Sequence, residues 1–177
     1  MRFFISAIAF ALALTPAFAA VQGKDGFYHT GDGIQTAAHW PFTMELFTVA
    51  HDTKDIPAVK TRQAMIELDA DKRLTLRMLR DVSVSHLKTG LEDRYRLNGY
   101  CDADEIHRFL AGLQGLSVPT GSSIVITYDA NSKTTTLAAP SGSVTSVQGV
   151  KFMEATWSIW FGVSKPASLG DQLIAKL

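Results

Sequence analysis

Runs of strand-like and helix-like patterning, one after the other, predict an α+β fold for this 177-residue chain. Three stretches carry the prediction. Leu74, Leu76 and Met78 alternate with Thr75, Arg77 and Leu79, which is the period of a strand. Ile106, Phe109, Leu110 and Leu113 fall at i, i+3, i+4 and i+7, a continuous apolar stripe on a helix. After Pro119-Thr120-Gly121 the period returns to two through "SSIVITYDANSKTTTLAAPSGSVTSV", a meander with turns at Asp129-Ala130-Asn131 and Ser141-Gly142. Elements grouped in this way argue against repeated βαβ units.

The elements follow in order. Arg2, the apolar run 3–14, the Thr15-Pro16 break and Ala17-Phe18-Ala19 form a secretory signal. The run is short of the roughly 20 residues that span a bilayer. Residues 1–19 are therefore expected to be removed near Ala19. That leaves one periplasmic or secreted domain, 20–177, with no transmembrane segment. Residues 23–33 read as an exposed entry loop with one aromatic pair, Phe27-Tyr28. Residues 42–50 read as a strand. One face carries Phe42, Met44, Leu46 and Thr48, and the other Thr43, Glu45, Phe47 and Val49, so cover on both sides is expected. "RQAMIELDADKRLTLRMLRDV" reads as two strands joined at Asp69-Ala70-Asp71. Ser83 or Ser85 can cap a helix carrying Val84, Leu87, Leu91 and Tyr95, with Gly99 as its stop. Asp102 and Glu105 mark the start of the helix bearing the Ile106 stripe. "KFMEATWSIWFG" turns helical, with Phe152, Thr156, Ile159 and Trp160 on one face and Gly162 as its end. A last helix is expected over 168–176.

Composition narrows the function. Seventeen basic and 17 acidic residues give a net charge of +0, without long runs of either sign. This argues against nucleic acid or an anionic membrane surface as the main partner. The single cysteine, Cys101, cannot form an internal disulfide and is expected to be a small buried apolar residue. His29, His39 and His51 have no recognised ligand spacing, so no metal is expected, and nothing calls for a cofactor. The oligomeric state is not set by the sequence.

"LTLRMLRDVS", two helices, "VPTGSSIVITY", then "VKFMEATWSIWFG" followed by Pro166 and Leu169 form an ordered set. In this set the chain resembles the chalcone isomerase-like family, in particular its secreted bacterial branch. The resemblance implies an open-faced sandwich, a large antiparallel sheet covered by a helix layer, with a cleft between them. In the plant enzymes a chalcone closes to a flavanone when a phenoxide adds to an enone. The resemblance also implies an arginine and a threonine at the first strands, and a tyrosine and an asparagine near the first helix. These steady the developing enolate, because donors already in place need no reorganisation.

Carried over residue by residue, the set is depleted. Thr43 in "PFT" matches the threonine. Gln35 stands where the arginine belongs, and no arginine occurs between Arg2 and Arg62. The tyrosine position falls near Ser83 and the asparagine position near Gly90. A neutral Gln lacks the charge and the bidentate fork of arginine, and a missing donor costs on the order of 100-fold to 1,000-fold in rate.

The candidate catalytic residues are thus Thr43 and Glu45, the latter as a base if buried. The candidate ligand-binding residues are Gln35, Thr43, Ser83, Trp157 and Trp160. His39-Trp40 is a candidate pocket mouth, and Arg77 a candidate replacement cation. The reading leans away from catalysis. It favours an exported binder of an amphipathic or aromatic small molecule, a fatty acid or a phenolic, held between sheet and helices. The alternatives are an intramolecular lyase or isomerase with an altered site, and an envelope protein that docks a partner on an apolar helix face.

Overall fold

A computed structural model describes residues 20–39, 41–164 and 166–177, without the side chains of 38 and 39. The signal expected at 1–19 lies outside the described residues, as do Trp40 and the His39 side chain of the expected pocket mouth. Six antiparallel strands form one open sheet in the order β1-β2-β3-β6-β7-β8. They are β1 (Tyr28–His39), β2 (Phe42–Thr53), β3 (Lys72–Met78), β6 (Ser123–Asp129), β7 (Thr134–Ala138) and β8 (Val144–Gln148). Two short strands, β4 (Val82–Ser83) and β5 (Ser117–Val118), pair with each other. The helices are α1 (Arg62–Glu67), α2 (Val84–Leu97), α3 (Ala103–Leu110), α4 (Val150–Phe161) and α5 (Leu169–Gln172).

The core lies on one face of the sheet. Val49, Leu74, Leu76, Ile124, Ile126 and Leu137 point into it and are closed over by α4. On α4, Phe152, Met153, Trp157 and Trp160 are at most 1% exposed. Each tryptophan buries about 150–250 Å², worth at most roughly 4–6 kcal/mol. The opposite face carries Thr48, Ala50, Thr75, Arg77, Thr127 and Thr136, none of them buried. The sandwich is therefore open on that side. β2 is covered on one face, not both, and Arg77 sits on the open face away from the helices.

Several expectations change. The loop expected at 23–33 becomes strand from Tyr28 onward, because Gly31 and Gly33 lie beneath the C-terminal segment. A Cβ on Gly31 would come within 2.1 Å of the Gln172 carbonyl oxygen, and one on Gly33 within 2.4 Å of Leu169 Cδ1. The strand expected at "RQAMIE" is the helix α1. Thr61 caps it by accepting from the Ala64 N–H, and Lys72 closes its other end. The Lys72 ammonium donates to the carbonyls of Met65 (2.9 Å) and Ile66 (3.1 Å). Cys101 is exposed, in the short link between α2 and α3. The last helix is a single turn. Ser83 is the N-cap of α2, but its hydroxyl bonds the Ser85 hydroxyl and caps no backbone N–H. Gly99, at φ +86°, follows α2 as expected, and Asp102 caps α3 by accepting from the Glu105 N–H at 3.0 Å.

Two bulges interrupt the β1–β2 ladder. At one end Gln35 pairs with Phe47 and Thr36 with Glu45, so Leu46 is extra on β2. Its carbonyl accepts instead from the Leu79 N–H at 2.9 Å. At the other end His29 pairs with Asp52 and Gly31 with His51, so Thr30 is extra on β1. Each bulge reverses which residues face the helices.

Candidate functional site

Where α2 crosses β1 and β2, a cavity of about 90 Å³ opens between Gln35, Leu46, Phe47, Val82, His86, Leu87, Gly90, Leu91 and Arg94. The Leu46 bulge makes this wall. Without it, neighbours on a strand point to opposite faces; with it, Leu46 and Phe47 both line the cavity. From α2, Leu87, Gly90, Leu91 and Arg94 stand at i, i+3, i+4 and i+7 and so share one face. The lining is apolar apart from buried Gln35 and the ionisable groups of His86 and Arg94. Burial holds the Arg94 guanidinium below its ordinary pKa. The guanidinium lies 5.7 Å from the centroid of the Trp160 ring. Phe47 meets the same ring edge-on at 6.2 Å. Trp160 thus forms a floor one layer behind the lining, and its indole N–H has no hydrogen-bond partner among the described residues. The volume falls below the roughly 300–1,000 Å³ of drug-sized sites, so the cavity can seat a headgroup and the start of a chain. A larger hollow of about 270 Å³ lies between residues 113–119 and 139–141, and no ionisable side chain lines it.

The other end of the helix layer is closed and polar. The Trp157 indole N–H donates to His51 Nε2 at 3.0 Å. That fixes the proton on His51 Nδ1, which donates to Thr30 Oγ1 at 2.7 Å. Thr30 in turn donates to the Leu173 carbonyl at 2.7 Å. Burial holds His51 well below the ordinary histidine pKa, with Lys72 and His29 adding repulsion. Lys72 lies 4.8 Å over the Trp157 ring, and burial pushes its pKa down to about 7. His29 sits nearby between Asp52 and Asp32, at 2.8 Å from each. No group of three or more His, Cys, Asp or Glu among the described residues could hold a metal ion.

The structure brings some of the expected residues together. Gln35, expected in place of the family arginine, and Gly90, near the expected asparagine position, line one cavity. Ser83 flanks it next to Val82, and Trp160 lies behind it. Trp157 belongs to the closed end. Thr43 and Glu45 are exposed on the β1–β2 hairpin, beyond the bulge. Thr43 lies about 13 Å along β2 from Phe47. Its side of the strand is opposite to that of Phe47, because the bulge reverses the alternation on which the sequence reading relied. Half-buried Met44 faces inward there and accepts from Arg80. The residue that sequence reading missed is Arg94. Its helical spacing from Leu87 and Leu91 was the available signal. The apolar faces of α2, α3 and α4 are consumed by the core, which leaves the docking alternative without its helix face.

Sheet, helix layer and topology define an α+β open-faced sandwich of the chalcone isomerase-like kind. Among solved structures the chain is similar to an Arabidopsis thaliana fatty-acid binding protein. The TM-score is 0.65, with 15% identity over 92% of this chain and 94% of that one. At that identity the likeness establishes the shared fold. No family model matches the chain, and no curated protein does.

Proposed function

We propose that the chain is a non-catalytic binding protein for a small amphipathic molecule, a fatty acid or a phenolic, seated where α2 crosses β1 and β2. One observation carries the reading. An apolar cavity walled by Leu46, Phe47, Val82, Leu87 and Leu91 is also lined by Arg94, and Gln35, expected in place of an isomerase arginine, lines it too. The fold shared with a fatty-acid binding protein supports it. In this reading the chain represents a secreted bacterial branch of the chalcone isomerase-like family. Its mature form is the single domain 20–177, exported after cleavage near Ala19. No helix among the described residues is long and apolar enough to cross a membrane.

The test is a panel of saturated fatty acids and phenolics, read by melting temperature and by quenching of tryptophan fluorescence. Trp160, behind the cavity, is the expected reporter. Saturable quenching with a rise in melting temperature is the expected result. If no compound moves either signal, the binding reading fails.

A further inference from the structure

We infer that Arg94 is the headgroup anchor of this cavity, and that the ligand is a carboxylate amphiphile whose acid group pairs with that guanidinium. The inference rests on the binding reading above and adds to it the ligand's charge and the residue that selects it. The cation sits on helix α2, not on the sheet position that Gln35 occupies.

Four observations converge. Arg94 stands on the α2 face that lines the cavity, one helical turn after Gly90 and Leu91. Gly90 leaves space beside it, since a Cβ there would meet nothing within 4 Å. The Trp160 ring holds the guanidinium from behind at 5.7 Å. The Trp160 N–H, fully buried and without a partner among the described residues, is a second donor at the same end of the layer.

Chemistry then selects the headgroup. A planar guanidinium fork matches the two oxygens of a carboxylate, and such charge-assisted pairs are the stronger ones. A phosphate dianion would bring more negative charge than one guanidinium balances, against an apolar wall where unpaired charge is costly. A phenol, with an ordinary pKa near 10, arrives neutral at pH 7. It offers one oxygen and no charge to the fork. The small volume places the acid group and the first carbons inside, with the rest of the tail outside the cavity.

The experiment compares octanoate with 1-octanol at pH 8, using the 20–177 chain and its Arg94→Gln and Arg94→Lys variants. Binding is read by tryptophan quenching and melting temperature, and folding of each variant by circular dichroism. Wild type should bind octanoate about ten-fold or more tightly than octanol, as expected for one charge-assisted pair. Arg94→Gln should bring octanoate down to the octanol level and leave octanol unchanged. Arg94→Lys should keep part of the preference. Equal binding of acid and alcohol by wild type overturns the inference and leaves the binding reading intact, as does a preference that survives in Arg94→Gln. Should the Gln variant not fold, the wild-type ratio decides alone. Failure of every amphiphile to bind removes both.

Discussion

Trp157 and Trp160 stand three residues apart on α4, both at 0% exposure, and each has a cation over its ring. Their surroundings differ. At Trp157 every polar group is used: the indole feeds His51, His51 feeds Thr30, and Thr30 feeds the Leu173 carbonyl. The cation there, Lys72, is spent on the carbonyls that end α1. At Trp160 the indole N–H has no partner among the described residues, and the cation over the ring belongs to Arg94, which lines a cavity. A buried network whose donors and acceptors all match is architecture. A buried donor left without a partner costs about 1–3 kcal/mol and calls for an explanation that a fully matched network does not.

The largest way to sharpen this contrast is pH. Lys72 has a folded pKa of about 7 and an ordinary value of 10.5. Between those values the unfolded chain holds a proton that the folded chain has released, so folding gains as pH rises through the window. The benefit is complete above the unfolded value and is lost as pH falls through about 7. Stability from chemical denaturation should climb by up to a few kcal/mol between pH 7 and 10.5. In Lys72→Met that slope should flatten. An unchanged slope would mean that Lys72 is not the group responsible.

The second test substitutes each tryptophan in turn. Trp157→Phe strands the Nε2 acceptor of His51 and loosens the link to Thr30, for about 2–3 kcal/mol. At 2–4 °C per kcal/mol for a chain of this size, the melting temperature should fall by roughly 4–12 °C. Trp160→Phe discards a donor that had no partner, so its cost should be only the lost packing and should stay clearly below that of Trp157→Phe. Equal losses at the two positions would erase the distinction drawn between the two ends.

The smallest expected effect is at the hairpin tip. Thr43→Ala and Glu45→Ala change exposed side chains. Each should shift stability by less than about 0.5 kcal/mol and leave octanoate binding unaltered. Chalcone cyclisation should run at the uncatalysed rate with wild type and Thr43→Ala alike. A wild-type rate above background that Thr43→Ala abolishes would restore catalysis to the molecule.

Much of the fold was legible because it is written in local periods. The strand at Leu74–Met78, the Asp102-capped helix α3 and the meander from Ser123 announce themselves through alternation or stripes that need no distant partner. The missed features all depend on distant partners. "RQAMIE" reads equally well as strand until a lysine five residues beyond its end turns back onto its carbonyls. The glycines at 31 and 33 suggest a loop until a chain segment 140 residues later lies across them. The site was only half legible for the same reason. A bulge is a property of two strands, so period-two reading carried Thr43 and Glu45 through Leu46 to the face they do not occupy. Arg94 was readable as a position on a helix, but its role needed the wall opposite.

The bare backbone at Gly31 and Gly33 has one more consequence. The final turn of the chain rests there without spacers, and the amide of Lys176 donates to the Thr30 carbonyl at 2.9 Å. A methyl group at either glycine would pry that terminal segment upward and let solvent reach the histidine beneath. Two hydrogen atoms in place of side chains thus keep a deeply interior imidazole dry.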